Sequence, residues 1–499
     1  MSSLGKALAV FTGASMVGSL TQVAKGKVTA VLLGTQGVGV LNQLTNLWSL
    51  FSVVASLGFF NGMVRHLAPA WDDGDRLQFR RHLSSNALLL LTAGMVLALL
   101  GCFFSSSISA FAFDDRGARA GLICLILTSI PLYVAGQTYR AALNATRSVN
   151  ALVRSRIGAD VLSVVVLVAL VFPFGLRGAV MGYIGLHLVY LGVTAFFTWK
   201  VLGRDVVVPS TSLFNSVEIR KNVGYGANGL VAVAVGILTT LIVSRWIIAT
   251  GGAGANGLFT MALKVATVYL GGLSAAAAGY YFPTLAKAKS DAEMHGHMDA
   301  TLSLYLFLIP PIILILMVGG EWMMRILFAP DFVPAAALLL LILPGDLFRI
   351  TAETIGLAVV VRGRLAASTG SYILWAAIYL ALVYVLLPRL GIAGVALAYL
   401  VSQLFNAAFQ IILCWYVVGY RFAGATLAAI CRGLAMIAAM AVTIRSELPE
   451  VWNWLAGAVF LGLWTVLSWS NPDFRNGARK LVGVVKRTAS SGGIVGTTA

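Results

Sequence analysis

The sequence predicts an all-α polytopic membrane protein. It is read as about fourteen transmembrane helices: two parallel six-helix lobes around a central cavity, plus two extra C-terminal helices. Three observations carry that prediction. Of the 499 residues, 59% are hydrophobic and 11% charged, with a mean hydropathy of +0.90; soluble globular chains run to about 45–50% apolar and about 25% charged. Nearly every window of about 20 residues is apolar between short polar breaks, which is the pattern of spanning helices. A β-barrel would show alternating ten-residue strands instead. Third, the chain repeats itself at half its length.

The repeat is clearest in the stretch from Lys25 to Pro69, KGKVTAVLLGTQGVGVLNQLTNLWSLFSVVASLGFFNGMVRHLAP, whose diluted copy is SRWIIATGGAGANGLFTMALKVATVYLGGLSAAAAGYYFP. Gly37, Asn42, Gly58 and Pro69 match Gly251, Asn256, Gly272 and Pro283 at an offset of 214 (251−37). Farther on, Gly175, Gly178 and Tyr183 match Gly391, Gly394 and Tyr399 at an offset of 216 (391−175). Six spans per unit is an even number, so both units keep one orientation. That predicts parallel repeats about an axis along the membrane normal, with the substrate site at their interface. The boundaries that follow are an N-lobe over 1–203, a cytoplasmic linker over 204–222, a C-lobe over 223–420, extra helices over 421–470, and a basic, mostly disordered cytoplasmic tail over 471–499.

The spans are placed at roughly 7–32, 40–64, 84–104, 118–138, 158–173, 179–199, 223–248, 257–282, 301–319, 334–361, 369–387, 393–418, 424–443 and 453–469. Odd-numbered connections, counted with Arg119 at the edge of the fourth span, then hold six Lys and Arg, whereas even-numbered connections and the termini hold twenty-three. This bias puts both termini in the cytoplasm. The net charge of +17 is therefore a topology signal with attraction to anionic head groups, and nucleic acid is not the implied partner. The N-terminus superficially resembles a signal peptide, but no cleavage site closes it, and it is read as the first helix. Cys102, Cys124, Cys414 and Cys431 lack paired spacing and read as small packed hydrophobes. Trp452, Trp454, Trp464 and Trp469 read as interfacial anchors.

Polar groups inside the spans are the candidates for function. Thr12, Ser15, Ser19, Gln22, Gly26 and Thr29 recur at spacings of three and four and share one helix face, with Lys25 and Lys27 shouldering it. Asn42, Thr45, Ser49, Ser52 and Ser56 make a second stripe, and Thr260, Lys264, Thr267, Gly271 and Ser274 a third. Close helix packing is the plain alternative for the hydroxyls. It suits the lysines less, because an ammonium in the bilayer costs at least about 2.5–3.5 kcal/mol. Gln22, Asn42 and Asn61 are the candidate amides. Asp346, Arg349 and Glu353 share a face near mid-membrane, as a cavity charge group or as a self-neutralising structural network. Arg245 is either a cavity cation or an interfacial snorkeller, and Arg432 is read as snorkelling. His187 reads as a packed or hydrogen-bonded histidine, and Asp160 as a cap or a partner of Arg154 or Arg156. No G-x-x-x-x-G-K-[ST], Gly-x-Ser-x-Gly or His-Glu-x-x-His motif is present.

The first helix ending in basic residues, then AVLLGTQGVGVLNQ and GFFNGMVRHLAP, together with EWMMRILFAPDF and PGDLFRITAETIGLAVVVRGR, resembles the Wzx-type O-antigen flippases and the related flippase of the enterobacterial common antigen unit. These form the polysaccharide transporter branch of the multidrug/oligosaccharidyl-lipid/polysaccharide (MOP) exporter superfamily. The resemblance covers about residues 1–420. It implies a non-enzymatic protein of the bacterial inner membrane that moves an undecaprenyl-pyrophosphate-linked glycan to the periplasmic leaflet by alternating access. It further implies that Lys25, Lys27, Lys264 and Arg349 face substrate; the placement of the other polar residues within the spans adds Gln22, Asn42, Asn61 and Arg245 to that set and gives Asp346 and Glu353 a coupling or gating role. No cofactor is expected; a coupling ion, H+ or Na+, is left open. Membrane lipids are expected partners, and the glycan polymerase or ligase machinery is a further one. The rivals are an organic-cation antiporter of the same superfamily and, in another class, a membrane glycan polymerase or ligase. The cationic spans speak against the first and the short outer loops against the second.

Overall fold

Four glycines in a conformation closed to most L-residues set the architecture. Gly34, Gly175, Gly252 and Gly391 have φ between +54° and +79°, a region that costs a Cβ-bearing residue roughly 1–2 kcal/mol. The computed structural model describes residues 3–115, 117–276, 281–446 and 449–469, all helix or connection, with no strand among them.

The first half contains α1 (Ser3–Ser56), α2 (Phe59–Asp72), α3 (Arg76–Phe103), α4 (Ser105–Phe113), α5 (Ala120–Leu127), α6 (Ile130–Ala145), α7 (Val149–Leu202) and the short α8 (Arg204–Val207). The second half contains α9 (Ser216–Ala276), α10 (Phe282–Lys287), α11 (Asp291–Val318), α12 (Gly320–Met323), α13 (Ala336–Val361), α14 (Leu365–Leu390) and α15 (Ile392–Val418), followed by α16 (Gly424–Arg445) and α17 (Glu450–Trp469). Eleven helical stretches among the described residues are long and apolar enough to cross a membrane. The sequence reading separates fourteen spans. The numbers differ because α1, α7 and α9 run through their bends at Gly34, Gly175 and Gly252 without a loop.

The fold-back of α7 shows how this works. A Cβ on Gly178 would lie 1.9 Å from the Leu170 carbonyl oxygen, while Gly182 sits against Leu167 and Gly185 against Val166. The two arms therefore run antiparallel in close contact. Gly394 meets the Leu386 carbonyl in the same way, at 2.4 Å, beside the bend at Gly391. This pair repeats at the predicted offset of 216.

The opening hairpin repeats at a different register. Its bends are Gly34 and Gly252, an offset of 218 (252−34), so the 214 alignment is four residues out. A Cβ on Gly39 would lie 1.7 Å from the Ala253 carbonyl oxygen, and one on Gly257 would lie 2.1 Å from that of Thr35. Both contacts obey 218 (253−35, 257−39), so they are one contact seen twice across a pseudo-twofold axis. Asn256 Nδ2 donates to the Gly39 carbonyl at 2.9 Å, and Gln43 Nε2 donates to the Leu241 carbonyl at 3.2 Å.

Each half has its own apolar core. One is built on Leu44, Phe79, Ile126 and Ala142; the other on Ile309, Phe332, Leu343 and Val395. They exchange members at the seam. Leu241, Ile248 and Ala253 of α9 join the first core, and Ala30 and Val38 of α1 join the second. The connection between halves is seated on α3: Ser85 Oγ accepts from the Asn215 amide at 2.8 Å, and His82 Nδ1 meets Glu218 Oε2 at 2.9 Å in a buried site. Asn222 Nδ2 donates to Asn86 Oδ1 at 2.7 Å beside them.

Several local expectations change. Cys102 of α3 and Cys124 of α5 form a disulfide; 22 residues apart in sequence, they meet because α5 packs against the end of α3. Trp464 is buried, its indole donating to the Phe307 carbonyl at 3.2 Å, and so is a packing residue rather than an interfacial anchor. Arg432 Nη1 donates to the Leu467 carbonyl at 3.0 Å and so closes the end of α17. The tail over 471–499 and the side chains of Thr12, Ser15, Thr267, Gly271, Ser274 and Trp469 lie outside the described residues.

Candidate functional site

Both halves contribute to a cavity of about 380 Å³. The first arm of α1 supplies Gln22, Lys25 and Thr29, and its second arm supplies Asn42 and Thr45. From α7 come Asp160, Ser163, Tyr183 and Tyr190, and from α9 come Thr260 and Lys264. Asn42 and Thr260 are equivalents at the 218 register (260−42), so the pseudo-symmetry of the seam continues into the cavity wall. The charges break that symmetry: Lys25 corresponds to Val243 and Lys264 to Asn46 at 218.

The hydroxyls are tied to their own helices. Thr29 Oγ1 donates to the Lys25 carbonyl at 2.9 Å, Thr45 Oγ1 to the Asn42 carbonyl at 2.8 Å and Thr260 Oγ1 to the Asn256 carbonyl at 2.7 Å. Each keeps lone pairs for a ligand. Lys264 is exposed to the cavity and has no hydrogen-bond or ion-pair partner among the described residues. Lys25 is half-buried; Asp160 attracts it electrostatically while lying 3.9 Å from Arg156 Nε. One carboxylate thus faces several cations, and the cavity is net positive.

The predicted cationic set does not stay together. Lys27 Nζ donates to the Ile326 carbonyl at 2.7 Å, so it closes the bend end of the molecule and does not line the cavity. Arg245 lies with its guanidinium 4.6 Å from the Phe111 ring centroid, a contact between the halves. Asn61 is exposed on α2, away from the cavity wall. None of the three is among the residues that line this cavity; spacing gives the helix face of a residue but not what packs on that face.

Asp346, Arg349 and Glu353 do share a face, in a separate place. Arg349 Nε lies 3.1 Å from Asp346 Oδ1, and its Nη1 lies 3.9 Å from Glu353 Oε1. Asp346 is 0% exposed and also accepts from Tyr399 Oη at 2.7 Å. It is thus a structural anchor, while Arg349 and Glu353 border a second pocket of about 430 Å³ among α11, α13, α14 and α15. His187 is packed, stacked on Trp48 with centroids 4.5 Å apart, and both ring nitrogens lack a partner. No group of three or more metal-ligating side chains exists among the described residues.

Tyr183 and Tyr190 are cavity residues that sequence reasoning missed, since a tyrosine in an apolar span carries no spacing signal. Asp160 partners Arg156 as its i,i+4 spacing predicts, at 3.9 Å, and it also lines the cavity.

With this geometry in place, the chain can be set against known proteins. Residues 5–289 match the family model described as polysaccharide biosynthesis protein. No curated protein matches the sequence. Among solved structures, an inward-facing multidrug resistance MATE family transporter of the MOP superfamily aligns with TM-score 0.70 at 13% identity, over 81% of this chain and 94% of that one. The lipid II flippase MurJ in an inward closed conformation aligns with TM-score 0.69 at 13% identity, over 93% and 98%. An outward-facing MATE family transporter aligns with TM-score 0.59 at 12% identity, over 83% and 96%. Two bent-helix halves, a shared cavity and a match over more than half of the sequence agree: the chain belongs to the polysaccharide biosynthesis protein family and has the fold of the MOP-superfamily transporters.

Proposed function

We propose that the protein is a non-enzymatic flippase that carries an undecaprenyl-pyrophosphate-linked oligosaccharide from the cytoplasmic to the periplasmic leaflet of the bacterial inner membrane. One observation carries this reading: Lys25 and Lys264, from opposite halves, line one polar cavity. A pyrophosphate bears about two negative charges, which makes it a ligand for two converging ammonium groups. The Gln22 and Asn42 amides and the threonine hydroxyls suit the first sugars. The prenyl chain stays in lipid.

The glycine seam supports an alternating-access cycle. All four bends join odd to even spans and so lie at one end, which the charge bias makes periplasmic. There α1 and α9 are in backbone contact at Gly39 and Gly257, a closed outer gate. Opening it would separate the halves and release the substrate outward. Glu353, the exposed member of its charge group, is the residue proposed to couple an ion, H+ or Na+, to that motion.

The test is genetic and biochemical. Lys25→Ala and Lys264→Ala should each lower surface glycan at least tenfold while membrane levels stay normal. Export at the wild-type level in both variants would remove the cavity assignment. Organic-cation antiport, which calls for acidic walls, predicts instead altered drug resistance in a deletion strain.

A further inference from the structure

The second pocket is used by the reading above only at its charged rim. Its interior has a different chemistry. Trp375 lies nearly parallel to Tyr379, with centroids 5.8 Å apart at 16°, and Tyr372 exposes its ring beside it. Gln403, Asn406 and Gln410 recur at spacings of three and four on α15 and line the opposite wall. Asn406 Nδ2 donates to Gln403 Oε1 at 3.4 Å, and Gln410 Nε2 donates to Ser371 Oγ at 2.8 Å.

Two atoms of this wall are left over. Trp375 Nε1, a donor, and Gln410 Oε1, an acceptor, are both buried without a hydrogen-bond partner. Gln410 Oε1 would lie 3.2 Å from a Cβ on Gly356, so the bare glycine leaves the space beside it open. An unpaired buried polar atom is costly, and here an orphan donor and an orphan acceptor belong to residues that line the same pocket. A pocket combining an aromatic plate, three amides, a carboxylate and an orphan donor and acceptor matches one ligand chemistry. A sugar ring presents C–H groups on its faces and alternating hydroxyl donors and acceptors at its edge.

We propose that this pocket is a sugar subsite, which receives a ring of the glycan with Trp375 and Tyr372 against its face and Gln403, Asn406, Gln410 and Glu353 at its hydroxyls. The proposal rests on the flippase reading, and it assigns the two ends of one substrate to two places: pyrophosphate to the shared cavity, sugar to the second half.

The experiment uses the full-length protein in nanodiscs and two probes: bare undecaprenyl pyrophosphate, and the lipid-linked oligosaccharide that accumulates in a deletion strain. The wild type should bind the glycosylated lipid about tenfold more tightly. Trp375→Ala and Gln410→Leu should abolish that preference and leave the bare lipid unchanged, whereas Lys25→Ala should weaken both. Trp375→Phe, which keeps the plate and loses the N–H, guards against misfolding and should lose part of the preference. If the pocket variants keep the full preference, or weaken both lipids equally, the subsite is wrong and the flippase reading stands. If the wild type binds neither lipid, both fall.

Discussion

Two lysines two residues apart on α1 have opposite parts. Lys25 faces a cavity without a fixed partner, and Lys27 holds a backbone carbonyl across the seam. Replacing each by methionine should separate the roles. Lys27→Met should lower stability by about 0.5–1.5 kcal/mol, the net worth of one hydrogen bond, visible as a lower melting temperature. Lys25→Met should stay within about 0.5 kcal/mol of the wild type and lose transport. Equal destabilisation by both would show that Lys25 is structural too. Asp346 belongs to a third class. Asp346→Asn removes a fully buried carboxylate that accepts from Tyr399 and pairs with Arg349, and a hydrogen bond to a charged group is worth about 1.5–3 kcal/mol; a lower melting temperature is expected, and an unchanged one would put the group back among the coupling residues.

At the level of helices, the glycine seam is the sharpest prediction. Even a methyl group at position 39 or 257 would collide with a carbonyl oxygen, and overpacking of that kind costs about 1–3 kcal/mol. Gly39→Ala and Gly257→Ala should therefore disfavour the closed outer gate, and disulfide trapping between cysteines introduced at positions 35 and 254, where a Cβ on Gly254 would lie 3.4 Å from Thr35 Oγ1, should fall by roughly tenfold. Trapping at the wild-type rate would show that the seam is not the gate. The Cys102–Cys124 bridge is tested by counting free thiols in non-reduced protein. Two, from Cys414 and Cys431, are expected, and Cys102→Ser should cost about 2–4 kcal/mol. Four free thiols would rule the bridge out.

Much of this level is legible in the sequence. Helical spans follow from hydropathy, the bend at Gly175 and its repeat at Gly391 from the pairing of PFGLRGAVMGY with PRLGIAGVALAY, and the cavity face of α1 from the spacing of Gln22 and Thr29. Other features have no local signature. Seven glycines crowd positions 34–39 and 251–257, so sequence alignment could pair Gly37 with Gly251 when the bends are at Gly34 and Gly252. The His82–Glu218 contact joins residues 136 apart in the chain, and only the packing of α3 on the start of α9 creates it.

For the whole molecule, the central claim is that two similar halves build an unequal cavity. The 218 register places Asn42 opposite Thr260 and gives both halves the same gate, yet each lysine faces an uncharged equivalent. An asymmetric substrate, charged at one end and hydroxylated along the rest, suits such a frame. The direct measurement is translocation in proteoliposomes loaded with lipid-linked oligosaccharide in one leaflet, followed by an impermeant enzyme that digests only exposed glycan. Wild-type protein should make the inner pool digestible, and the Lys25→Ala, Lys264→Ala double variant should leave it protected. An undigested pool with the wild type, or equal digestion with the double variant, would contradict the central claim.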